Sequence, residues 1–226
     1  MPFLAPLVRA VLGACLWSLA ASAGADHLFV NGTLITLTDD GQRRADLRVV
    51  DGRIADIGTD LAPGPDTRVV DLAGGYLMPG LAEMHAHVPG PEQSTAYRDD
   101  VLLLWVANGV TTIRGMLGHP EHLDLRRALA AHEVLGPRLI TAGPSFNGDT
   151  VTSPDQARRR AREQAAAGYD FLKIHPGLTR AEYDAVADEA ARLGIPFGGH
   201  VPAEVGLPRA IAAGQRTIDH LDGFMQ

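Results

Sequence analysis

From His27 to Met78 the chain runs as short apolar and β-branched stretches, HLFV, TLITL, LRVV, RIADI and RVVDL, broken every few residues by Gly, Asn or Asp. Runs of that length and alternation read as strands. Asn31-Gly32 and Asp51-Gly52 stand between such runs, and these dipeptides favour two-residue hairpins because both positions tolerate a left-handed backbone. The pattern predicts a small antiparallel β unit, part of a β-sandwich, over residues 26–78.

After Pro79 the texture changes. The runs GLAEMHAHV, GVTTIRGM, PRLITAG, YDFLKIH, IPFGGHV and RTIDHL alternate with stretches whose apolar positions recur at helical spacing. Ser153-Pro154-Asp155-Gln156 offers an N-cap, a Pro at the first helical position and a capping-box Gln, with Gly168 as the stop. Thr179 to Glu182 is a second capping box, followed by Val186, Ala190 and Leu193 on one face and Gly194 at the end. Six strands alternating with helices imply a parallel α/β sheet.

The carboxyl ends of these predicted strands gather His85 and His87, Lys173 and His175, His200, and His220. In parallel α/β folds that edge binds ligands. His85 and His87, two residues apart, share a strand face, with Glu83 one step deeper, and neutral imidazole suits zinc and similar borderline metals. Strands one and six of an open sheet lie too far apart to share a site, whereas side chains at the mouth of a closed barrel converge. The ligand set therefore favours a TIM barrel.

Lys173 interrupts an apolar strand, where an unpaired ammonium is costly. Three states fit: a neutral amine of lowered pKa, a side chain snorkelling outward, or a carbamate whose two oxygens bridge two cations. Arg114, ending the second run, fits either substrate contact or a structural ion pair. His175 shares the parity of Lys173 and is a candidate substrate contact. His119, His122 and His132 fall in or beside a helical stretch and are expected to be solvated. Ser145 and Asn147 lie in a Gly-rich loop and fit a turn.

Composition narrows the classes. The 226 residues are 46% hydrophobic and carry a net charge of −7, a balance suited to a globular core and not to a nucleic-acid surface. The one dense basic run, Arg158 to Arg162, sits in a helical pattern and reads as a solvated face. Residues 1–25 place Arg9 before a short apolar run and end in small residues, the pattern of a signal peptide. That run is too short for a membrane span of about 20 residues. The expectation is export to the periplasm or medium, with no membrane span. Leu12-Gly13-Ala14-Cys15 resembles a lipobox, which would make the chain a lipoprotein instead. Cys15 is the one cysteine, so no internal disulfide forms.

Met78-Pro79-Gly80-Leu81-Ala82-Glu83-Met84-His85-Ala86-His87, with Gly109 to Arg114, Asp170 to Ile174, Gly199-His200-Val201 and Ile218-Asp219-His220, resembles the amidohydrolase superfamily in its imidazolonepropionase-like and prolidase-like branch. The resemblance implies hydrolysis of a C–N bond in a small amide, cyclic amide or dipeptide through a metal-activated water. His85 and His87 would bind one divalent ion and His200 and His220 a second, with carboxylated Lys173 between them. Zn2+ is the metal it points to first, with Mn2+, Fe2+ or Co2+ as alternatives, and the carbamate would derive from CO2. A small-molecule substrate follows; a homo-oligomer stays open.

Three positions depart from the family. Glu83 stands in place of an aspartate, Gly115 follows Arg114 where this branch carries an acidic residue, and the eighth-strand aspartate ligand has no counterpart before Gln226. A full barrel takes about 250 residues. The resemblance thus implies an incomplete TIM (β/α)8 barrel of about six βα units over residues 79–226, C-terminally truncated from a longer enzyme. Two rival functions remain: a non-catalytic metal-binding remnant, and a hydrolase of esters, lactones or phosphotriesters using the same ligands.

Overall fold

A computed structural model describes residues 25–224, so the signal peptide expected over residues 1–25 and the lipobox at Cys15 lie outside the described residues, Ala25 apart. The chain forms two compact units that divide after Pro79.

The first unit holds β1 (Asp26–Val30), β2 (Thr33–Ile35), β3 (Gln42–Arg44), β4 (Asp46–Val50), β5 (Arg53–Gly58), β6 (Arg68–Asp71) and β7 (Tyr76–Leu77). They form two sheets, ordered β5-β4-β1-β6 and β3-β2-β7. Asp51 at φ 52° and Gly52 at φ 71° make the expected tight turn between antiparallel β4 and β5. The unit as a whole is not antiparallel, because β1 pairs parallel with β6 and β2 parallel with β7.

Asn31-Gly32 is likewise not a hairpin: it carries the chain from one sheet to the other. The reason lies in what packs against it. The Asn31 carbonyl accepts from Gly74 N at 2.7 Å and Thr33 N donates to the Gly75 carbonyl at 2.9 Å. A Cβ on Gly32 would meet Leu72 Cδ1 at 2.3 Å. The dipeptide therefore serves a close passage beside Leu72, a use of glycine that a hairpin signal does not distinguish. Phe29, Leu47, Val49 and Ile57 from one sheet and Leu34 and Leu77 from the other line an apolar cavity of about 490 Å3.

The second unit runs β8 (Leu81–Ala86), α1 (Thr95–Ala107), β9 (Val110–Gly115), α2 (Glu121–Ala130), β10 (Arg138–Thr141), α3 (Pro154–Ala167), β11 (Leu172–Ile174), α4 (Arg180–Leu193), β12 (Phe197–Gly199) and α5 (Leu207–Ala212). β8, β9 and β10 pair parallel in sequence order, as do β11 and β12. Single parallel bridges, Ala142 to Phe171 and Phe146 to Ile174, link the two groups. The result is a mixed α/β fold, and among the described residues no pairing closes it into a barrel.

The run RTIDHL is not a sixth strand. One bridge, Gly199 to Ile218, continues the sheet. His220 and Leu221 then take φ of 54° and 59°, a left-handed backbone that ends extended pairing.

The helix signals translate into geometry. Ser153 caps α3 by accepting from Gln156 N, and Gly168 ends it at φ 87°. Thr179 and Glu182 form the reciprocal capping box of α4, which Gly194 ends at φ 69°. Ala157, Ala161, Val186 and Ala190 on these helices bury against Leu172 and Ile174. The basic run of α3 is only partly a solvated face, since Arg160 lies 5.4 Å from the Phe146 ring centroid and bonds the Ser145 carbonyl.

His122 is not solvated either. It is 2% exposed, its Nδ1 accepting from His119 N and its Nε2 lying 3.2 Å from the Pro89 carbonyl, which ties α2 to the loop after β8. We expect His122→Ala to cost about 2 kcal/mol by baring those backbone groups, measurable by urea denaturation. An unchanged midpoint would show that the loop does not depend on this tie.

Candidate metal centre

Side chains of a strand alternate between faces. On β11, Leu172 and Ile174 face the helices. Lys173 between them therefore points to the opposite face, as does Phe171, which packs with Met116 and Ala142. The same alternation brings His85, at the end of β8, to the carboxyl edge of that face.

At this edge five imidazoles follow one another. Ring centroids lie 5.4 Å apart for His87 and His85, 4.7 Å for His85 and His220, 5.0 Å for His220 and His200, and 5.1 Å for His200 and His175. Next to them Lys173, fully buried, donates to the Asp219 carboxylate. That carboxylate also lies 3.6 Å from His85 Nδ1. One ligand atom from each of His85, Asp219 and His220 falls within 4.8 Å of the others.

His200 Nδ1 lies 2.8 Å from Asp222 Oδ2, which also accepts from Val201 N. A carboxylate on Nδ1 fixes the tautomer and leaves Nε2 as the ligating atom. Among the described residues, this donor set suits a divalent cation: imidazoles in a row, one oriented by a carboxylate, and a buried acid beside them.

Burial shapes the electrostatics. It pushes the His85 imidazole below its ordinary pKa, against the pull of Asp219. His175 is lowered to about 4, by burial first and then by Lys173 and His200. Both rings are thus held in the neutral form that binds metals. The Lys173 ammonium is also lowered by burial, which Asp219 opposes.

The sequence-predicted residues His85, His87, Lys173, His175, His200 and His220 all arrive at this edge. Lys173 neither snorkels nor stands alone, since Asp219 pairs with it. Arg114 is turned to protein groups: Nη2 donates to Thr217 Oγ1 at 2.8 Å, Nε reaches Met116 Sδ, and the guanidinium lies 5.0 Å from the Phe171 ring centroid. Asn147 makes a turn, its Oδ1 accepting from Asp149 N and Thr150 N.

Sequence reasoning passed over Asp219 and Asp222. Period-two logic sends Asp219 to the face opposite its neighbour His220, yet both reach the same cluster because His220 leaves the extended region. The signal available was the acidic residue inside the Ile218-Asp219-His220 run itself.

The Amidohydrolase family profile matches residues 76–226, a span that includes every residue of this cluster. The chain belongs to the amidohydrolase family. It is 41% identical over 108 residues to a D-hydantoinase of Ralstonia pickettii, a match covering 46% of this chain and 23% of that protein. It is 26% identical to an adenine deaminase of Ruegeria pomeroyi, over 89% of this chain and 36% of that protein. A prolidase solved with N-methylphosphonate-L-proline superposes with a TM-score of 0.75 at 20% identity, covering 86% of this chain and 60% of that one. The chain thus spans well under half the length of these two curated relatives. Amidohydrolases including prolidase-like proteins are its structural neighbours. No helix among the described residues is long and apolar enough to cross a membrane.

Proposed function

We propose that this amidohydrolase is an exported, metal-dependent hydrolase of C–N bonds in small cyclic amides, dipeptides or related molecules, and that the described fold is an incomplete TIM barrel, with residues 26–78 as a β-sandwich portion. The single observation that carries the reading is the row of five imidazoles beside the buried Lys173–Asp219 pair. Export rests on the apolar run within residues 1–25.

His85 and His87 would hold one divalent ion and His200 and His220 a second, Zn2+ being the first candidate. Ions held there supply Lewis acidity toward a substrate carbonyl and lower the pKa of water. Asp222 keeps His200 in its ligating tautomer. Asp219 restrains Lys173 and His85 together. A carbamate on Lys173 would give up the donation to Asp219 and place a second anion beside that carboxylate, an arrangement that bound divalent ions would have to offset. His175, its ring against His200, offers a hydrogen-bonding surface to substrate.

Stripping the protein with a chelator should reduce hydrolysis of N-acylprolines, hydantoins or adenine to background, and Zn2+, Mn2+ or Co2+ should restore it. Turnover unaffected by chelation would overturn the metal reading. Restored activity confined to esters, lactones or phosphotriesters would overturn the C–N assignment, and metal binding without any turnover would make the protein a non-catalytic relative.

A further inference from the structure

His200 and His220 lie on backbone with different support. His200 directly follows β12, whereas His220 ends a segment joined to the sheet by one bridge. Three backbone bonds to β12 accompany that bridge, Arg216 N to the Phe197 carbonyl at 2.9 Å, Gly199 N to the Thr217 carbonyl at 3.1 Å and Asp219 N to the Gly199 carbonyl at 2.9 Å, and they stop one residue short of His220.

A further restraint comes from a buried polar pair. Gln215, 9% exposed, opens the segment, and the two protons of its Nε2 serve three carbonyls: Gly199 at 3.0 Å, Thr217 at 3.0 Å and, sharing a proton, His200 at 3.3 Å. These carbonyls belong to both ligand-bearing stretches. The amide is oriented in turn by Tyr183 of α4, whose hydroxyl donates to Gln215 Oε1 at 2.8 Å. Tyr183 is fully buried, with its ring edge-on to Phe197 of β12 at 6.0 Å. The hydroxyl therefore has a fixed direction, and the amide cannot flip without leaving buried groups unpaired.

We propose that Gln215, oriented by Tyr183, is a positioning residue that sets the separation of His200 and His220 and so the affinity of the ion they hold. The proposal rests on the metal reading above. It assigns to two residues outside the ligand set a role of the kind that orienting groups play around metal ligands, where substitution changes metal affinity by about 10–100-fold.

The test uses the full chain with Tyr183→Phe, Gln215→Met and a packing control, Leu178→Val, in the same apolar cluster. Co2+ is titrated into each, reading affinity and the visible absorption band, alongside thermal melting. Tyr183→Phe and Gln215→Met should each weaken Co2+ binding by at least about tenfold and shift the band, while the control loses melting temperature with affinity and band intact. Equal affinity and an unshifted band in all three variants would overturn the proposal, leaving a purely structural pair. A wild-type chain that binds no Co2+ would overturn the metal reading itself, and this proposal with it.

Discussion

Lys173→Met should destabilise the metal-free protein by about 3–5 kcal/mol, the cost of leaving one member of a buried ion pair without its partner. Asp219 is 6% exposed, and its remaining neighbour in the cluster, His85 Nδ1, lies 3.6 Å away. Neutralising the acid should reverse the loss: Lys173→Met combined with Asp219→Leu replaces the pair by apolar groups, a change that is often near neutral in stability. Hydrolysis should stay lost in both variants if Lys173 serves the metal site. Urea denaturation in the presence of chelator, with activity measured after adding Zn2+, separates the two roles. A single variant as stable as wild type would mean that Lys173 and Asp219 do not form a pair in the metal-free protein.

Gly199→Ala should be nearly as damaging, by about 3–5 kcal/mol, through two additive causes. The residue sits at φ 133°, which side-chain-bearing residues rarely adopt, and an added Cβ would lie 2.2 Å from the Ile174 carbonyl oxygen. Strain of that kind and overpacking each cost about 1–3 kcal/mol. The carbonyl cannot move away easily, because Ile174 O already accepts from His200 N at 3.0 Å. Displacement of β12 from β11 should therefore also disturb His200. Thermal melting together with Co2+ binding checks both effects, and a variant that melts like wild type would show that the β11–β12 approach is looser than these distances imply.

The second unit was largely legible because its signals are local and redundant. Thr179 and Glu182 name a helix start, Gly194 names its stop, and the apolar run around Lys173 names a strand. The shared placement of His85 with His87 and of Lys173 with His175 was legible for the same reason: period-two alternation along a strand predicts a shared face without any long-range information. What was not legible depended on partners remote in sequence. Asn31-Gly32 carries an authentic hairpin signal, but Leu72 and Gly74 decide its use. His122 reads as a helix-surface residue until Pro89 is brought beside it. The arrival of Asp219 and His220 at one cluster accompanies the left-handed backbone at His220, which no propensity of histidine foretells.

The parallel pairing of the first unit sets an order of events during synthesis. β1 and β2 hydrogen-bond to β6 and β7, so residues 26–35 wait for Arg68 to Leu77 before their parallel ladders can form. Non-local parallel pairing is slow to form, and a nascent chain presents its amino-terminal strands first. β4 and β5 form a local hairpin and can close early, while the far side of β1 stays unpaired as an edge open to other strands. The unit is completed once Leu77 becomes available, immediately before β8 in the chain. A ribosome that paused the chain ahead of Arg68 would hold it with that edge still open.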